Sequence, residues 1–278
     1  MRDSTVLPNL HMLPAEALVP HEDCDPRRVE RLSRRIEEER CLKNPPIVAR
    51  IPDSDQYVVL DGANRSQAFA LLGIAHIVAQ VVSYDDPGIA LDTWYHVVSG
   101  LAVEEFEAAV TGIAGVELLA CKLETARAAL EAQRAAAYIV VENNVRVVSC
   151  PHGCQPTDML ILNELVNTYK GRADIFRASN DVWGKQAPYY PEITALVIFP
   201  RLNPVDIVRA AQNGYRIPSG ITRHIIPNRA VNINIPLRVL RADWSLERKR
   251  AWLQEWLMER MAANAIRFYS ESTFSFNE

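Results

Sequence analysis

Apolar positions along the chain switch between a period of two and a period near 3.6, and the switches mark out short strands and helices. Leu13 to Val19 reads as a strand. Asp25 then stands before Pro26 as a helix cap, and Val29, Leu32 and Ile36 recur on one helical face. Asn44-Pro45-Pro46 closes that helix and opens a strand from Ile47 to Ile51. The turn Asp53-Ser54-Asp55 folds it back onto a second apolar run, Tyr57 to Leu60, as a hairpin. A helix over 66–72 ends at Gly73, His76 to Ser83 is a further strand, and Tyr84-Asp85-Asp86-Pro87-Gly88 closes the segment. Helices interleaved with short strands predict an α/β protein with a mixed sheet.

From Ala102 the pattern changes. An Ala- and Glu-rich helical stretch runs to Arg134, followed by a hairpin of Tyr138 to Val141 with Val145 to Val148. Thr157 stands where it would cap a helix reaching Tyr169, with Gly171 just beyond. Ile193 to Phe199 reads as a strand, Asn203-Pro204 opens a helix that Gly214 ends, and Leu246 to Ala265 forms a helix with Trp252, Trp256, Leu257 and Met261 on its apolar side. At 278 residues the chain exceeds the usual size of one domain. The expectation is two domains, 1–101 and 102–278, sharing an interface of the kind where sites lie.

Composition narrows the class of protein. The chain is 49% apolar and 23% charged with a net charge of −4, and its 17 prolines accompany no low-complexity tract, so they punctuate ordered loops. The basic residues of 27–40 alternate with Glu30, Glu37, Glu38 and Glu39, which makes a solvated helix face rather than a nucleic-acid patch. No apolar run approaches the ~20 residues needed to cross a bilayer. Met1-Arg2-Asp3-Ser4 lacks the apolar stretch of a signal peptide. Five cysteines without framework spacing favour a reducing compartment, and a cytoplasmic location is expected.

Chemistry concentrates where the strand at 57–60 passes into a helix through Asp61-Gly62-Ala63-Asn64-Arg65. A helix start presents unpaired N–H groups and partial positive charge, which suits phosphate. Asp61 adds an acid or metal ligand and Arg65 a fixed cation. Capping alone also favours Asp and Gly at such a turn, so these five residues leave both readings open. Glu22, between a strand and the first helix, either faces a site at the strand ends or decorates the helix start with Asp23 and Asp25. Between Ile217 and Pro227, Ser219, Thr222, Arg223 and His224 suit phosphate or carboxylate recognition, or else form a surface loop entering a strand. Arg229 lies close behind. Trp94-Tyr95-His96 reads as aromatic packing, Cys150 to Cys154 as a turn without a second ligand pair for zinc, and 181–185 as a loop.

Pro45-Pro46-Ile47-Val48, the run Tyr57 to Ala68 and Leu72-Gly73-Ile74 resemble the ParB/sulfiredoxin-like fold over about the first hundred residues, a fold that hosts several activities. A sulfiredoxin would carry a cysteine in the turn. A ParB-type partition protein would carry a Gly-Glu-Arg-Arg-like box and a following helix-turn-helix; neither is present. Trp94-Tyr95-His96, Gly220-Ile221-Thr222-Arg223-His224 and the end around Arg267-Phe268-Tyr269 extend a resemblance to the free L-serine kinases built on this fold. That small family includes archaeal ADP-dependent enzymes and the serine kinase/regulator of a siderophore gene cluster.

The resemblance implies phosphoryl transfer from ATP or ADP, with Mg²⁺, to the hydroxyl of free L-serine, giving O-phospho-L-serine. Glu22 would accept the hydroxyl proton, and Asp61 would act through Mg²⁺ or on the hydroxyl. Gly62, Ala63, Asn64 and Arg65 would hold the nucleotide phosphates, with Arg65 offsetting transition-state charge. Trp94, Thr222, Arg223 and His224 would form the serine pocket. Family members often carry His where Asn64 stands, so that role has no counterpart here. The alternative is a nucleotide-responsive DNA-binding regulator.

Overall fold

The computed structural model describes residues 7–150 and 159–269. Contacts group the chain into two units, one of 1–19, 24–88 and 226–278, the other of 20–23 and 89–225. This grouping differs from a single division after residue 101. The strands Ala90–Thr93 and Tyr95–Ser99 pair with later segments of the second unit, Thr222–Ile225 and Ile193–Ile198 among them. Ile235–Pro236 returns to pair with Cys41–Leu42 of the first.

In the first unit a five-stranded sheet runs in the order Leu10–Pro14, His76–Val82, Ile47–Arg50, Tyr57–Asp61, Leu18–Pro20. Ile47–Arg50 is parallel to His76–Val82 and antiparallel to Tyr57–Asp61, so the sheet is mixed, as its sequence pattern predicts. The strand expected over 13–19 is two strands, because the chain turns through Ala15–Ala17 immediately after Pro14, which has no N–H to extend a ladder. Asp25 caps the helix Pro26–Glu39 by accepting from the N–H groups of Arg27 (2.9 Å) and Arg28 (3.4 Å). That helix stops well before Asn44, at Arg40, which adopts the left-handed conformation with φ 54°. Its Val29, Leu32 and Ile36 pack onto a core of Leu42, Val48, Val59, Phe69, Ile77 and Val78, joined by Ile235, Leu237, Leu240 and Leu253 from the end of the chain.

The second unit holds an antiparallel six-stranded sheet, ordered Asp174–Ala178, Tyr95–Ser99, Ile193–Ile198, Ala137–Val141, Asn144–Ser149, Glu117–Cys121. The helical stretch expected from 102 to 134 is two helices, Val103–Thr111 and Leu123–Glu131, with the strand Glu117–Cys121 between them. Gly112 ends the first helix and Gly115, at φ +75°, turns the chain away from it. The hairpin over 137–149 forms as expected, Val141 opposite Asn144. Asn203 and Asp206 make a reciprocal capping box at the start of Pro204–Gln212. Residues 151–158, with the expected cap Thr157 and most of the Cys150–Cys154 segment, lie outside the described residues. No described helix is long and apolar enough to cross a membrane.

Candidate active site

Two clusters gather the residues singled out by sequence, one in each unit. In the first unit, Asp61 ends its strand, and Gly62 takes φ +90° to start the helix Ala63–Leu71, three residues before the start at 66 that periodicity predicts. A Cβ on Gly62 would meet Arg65 Nη1 at 2.9 Å and Pro46 Cα at 3.1 Å, so both the space and the backbone angle call for glycine. No side chain caps this helix, which leaves its first N–H groups for a ligand. Arg65 turns its guanidinium back to the carbonyl of Pro45 (3.2 Å). Asn64 uses its Oδ1 to accept the backbone N–H of Asp25 at 2.9 Å, which joins the starts of the helices Pro26–Glu39 and Ala63–Leu71. The positive ends of two helix dipoles therefore stand side by side at the turn.

Asp61 is bound through Oδ2 by the guanidinium of Arg229, a half-exposed pair. Arg229 is held in place by its neighbours. The buried Gln80 donates to the Asn228 carbonyl at 3.0 Å and accepts from the Ala230 N–H at 2.8 Å. Asp61 Oδ1 carries no hydrogen bond among the described residues, and no cluster of three or more His, Cys, Asp or Glu there is arranged to hold a metal ion. A lone carboxylate fits Mg²⁺, which is commonly held by one or two carboxylates together with substrate phosphates.

The three acids after the strand Leu18–Pro20 separate by task, Asp25 in the first unit and Glu22 and Asp23 in the second. Asp25 is the helix cap and Asp23 lies 3.5 Å from Lys170. Glu22 pairs with Ile217 in an isolated parallel bridge that lays its carboxylate against the 219–222 loop. Its Oε1 accepts the N–H of Thr222 at 2.9 Å and the Thr222 hydroxyl, and its Oε2 accepts the Gly220 N–H at 3.2 Å. A carboxylate offers about four acceptor positions, so one remains on Oε2. The Thr222 hydroxyl has a single proton, given to Glu22, and its oxygen lies 2.8 Å from Nε2 of His21, which therefore carries the proton at Nε2. His21 is buried and meets His224 edge-on, ring centroids 5.3 Å apart.

Thr222–Ile225 pairs with Ala90–Thr93, and alternation along the strand puts Arg223 on the face opposite Thr222 and His224. Arg223 accordingly lies 3.5 Å from Asp92 with its guanidinium 4.3 Å over the Trp94 ring. The structure thus brings Thr222 to Glu22, His224 to His21, and Trp94 and Arg223 to each other. Asp181, expected in a plain loop, is gripped by Arg127 at 2.7 and 2.8 Å and by the Tyr138 hydroxyl at 2.5 Å. Sequence reasoning passed over His21, Gln80 and Arg177, and quoted Gly220 within a motif without giving it a role. Gln80 carried a visible signal, a lone amide in the apolar strand His76–Val82. The others carried none, because their partners lie far away in sequence.

No protein-family model matches the chain. It is 36% identical over 100 residues to the ATP-dependent L-serine kinase of Staphylothermus marinus, a match covering 34% of this chain and 40% of that protein. It is 22% identical over 267 residues to the ATP-dependent L-serine kinase SbnI of Staphylococcus aureus, covering 96% of each. Among solved structures, C-terminally truncated SbnI superposes with a TM-score of 0.73 at 19% identity, over 91% of this chain and 97% of that one. A free serine kinase in complex with AMP does so with a TM-score of 0.70 at 18% identity, over 85% and 95%.

Proposed function

We infer that this chain, a member of the free L-serine kinase family, transfers a phosphoryl group from an adenine nucleotide to the hydroxyl of free L-serine, giving O-phospho-L-serine. ATP is the donor named for its curated relatives and is the first nucleotide to test, with ADP beside it. The observation that carries the mechanistic reading is the grip on Glu22. A carboxylate oriented by Gly220 and Thr222, with one acceptor position left on Oε2, is built to receive a proton from a small alcohol.

Phosphoryl transfer depends on positioning and charge neutralisation more than on a strong nucleophile. Glu22 orients the serine hydroxyl and takes its proton at Oε2. His21 and Thr222 fix the carboxylate through the chain of hydrogen bonds that ends on it. The N–H groups at the start of the helix Ala63–Leu71, which no side chain caps, hold nucleotide phosphate, and Arg65 adds a cation at their edge. Asp61 would hold Mg²⁺, which when bound supplies positive charge against the phosphate oxygens. A nucleotide-responsive DNA-binding regulator is not favoured by relatives that are kinases by name.

The test is a coupled assay for phosphoserine with L-serine, Mg²⁺ and either ATP or ADP. Product is expected with at least one nucleotide, and its absence with both overturns the reading. Glu22→Gln keeps the size of the side chain and is expected to lower turnover by roughly 10²–10⁴-fold, with a small change in unfolding midpoint. Wild-type turnover in that variant would remove Glu22 from its role.

A further inference from the structure

A free amino acid presents a carboxylate as well as a hydroxyl, and Arg223 is already engaged by Asp92 and Trp94 on the face away from Glu22. A different cation stands at the loop that grips Glu22. Arg177, exposed on the strand Asp174–Ala178, lays its guanidinium against Gly220. A Cβ on Gly220 would lie 3.0 Å from Arg177 Nε and 3.2 Å from Nη2. Gly220 sits at φ +86° and gives its N–H to Glu22 Oε2, so the guanidinium rests on the residue that orients this carboxylate. Arg127, Arg172, Arg223 and Arg229 all have acidic partners, whereas Arg177 forms no ion pair among the described residues. Its guanidinium thus stands next to the residue whose N–H goes to the Glu22 oxygen that keeps an acceptor position.

We propose that Arg177 receives the α-carboxylate of the amino-acid substrate and so sets the requirement for a free acid. This rests on the serine-kinase reading. The planar, bidentate guanidinium matches a carboxylate, and phosphate has its own place at the turn 62–65. Anchoring the carboxylate at Arg177 and the hydroxyl at Glu22 fixes a three-carbon substrate at both ends. A longer acid or an uncharged amide is then rejected by geometry or by the loss of that contact.

The experiment compares L-serine with L-serinamide, which keeps the hydroxyl and amine but lacks the anion, in the wild type, Arg177→Met and Arg177→Lys. The wild type is expected to prefer serine. In Arg177→Met the KM for serine should rise roughly 10–100-fold, with kcat and the nucleotide KM changed less than about threefold. The preference over serinamide should largely vanish, and Arg177→Lys should restore part of it. A wild type that uses serinamide as well as serine, or a Met variant with unchanged serine KM, overturns the proposal. A fall in kcat with serine KM intact overturns it in favour of a contact to the transferred phosphoryl group. A wild type that phosphorylates neither compound instead overturns the serine-kinase reading itself.

Discussion

At the scale of single residues, the site depends on groups whose protons are placed by their surroundings. His96 is 1% exposed, bonded through Nδ1 to the Tyr169 hydroxyl at 2.9 Å and set edge-on to Phe199. Burial first, and the charge of Arg177 second, push it down to about 4. Between that value and the ordinary 6.5 the unfolded chain binds a proton that the folded chain refuses. Stability supplied by neutral His96 is therefore intact above about pH 6.5 and drains away as pH falls toward 4, by up to roughly 1.4 kcal/mol per pH unit. Denaturant unfolding of the wild type and His96→Asn across pH 7 to 4.5 should give difference curves with that sign. A pH-independent difference would show that His96 takes up its proton in the folded state. Glu22, Thr222 and the 61–65 turn were legible because each is a polar interruption at the end of an apolar run. Arg177 and Gly220 were not, since strand pairing and a left-handed loop bring them together from 43 positions apart in the sequence.

At the scale of elements, the two helix starts at the turn 61–65 are coupled through one side chain. Asn64→Ala removes the acceptor for the Asp25 N–H and is expected to cost about 1–2 kcal/mol in denaturant unfolding. Asn64→Asp keeps the acceptor and should hold stability close to wild type, while its charge weakens nucleotide binding measured by calorimetry. Equal nucleotide affinity in wild type and Asn64→Asp would remove phosphate from that turn. Strongly periodic elements such as Pro26–Glu39 and the hairpins were readable from sequence. Several boundaries were not. Ala and Glu favour helix right through 102–134, yet two glycines and the pairing of Glu117–Cys121 with Asn144–Ser149 override that preference.

At the scale of the whole molecule, the first unit closes its core with residues from both ends of the sequence. A cut at 101 was the natural reading because Leu42 and Ile235, which pair directly, stand too far apart for any local pattern to join them. A chain ending at residue 225 would lose Ile235, Leu237, Leu240 and Leu253 from that core. At roughly 1.5–3 kcal/mol each, this approaches or exceeds the stability of a typical domain. Hydrogen exchange on such a fragment is expected to find Ile47–Arg50 unprotected and Ala137–Val141 protected. Equal protection of both would mean that the first unit stands without its last segment.

The pairing of Asp61 with Arg229 carries the same interleaving into the chemistry. During synthesis the turn 61–65 leaves the ribosome long before Arg229 does, and before the residues that seal the layer beneath it. Residues 226–253 thus complete a core whose other strands are made more than 140 residues earlier. A chain released early is left with an exposed apolar sheet, a substrate for proteolysis and quality control rather than a partly active enzyme.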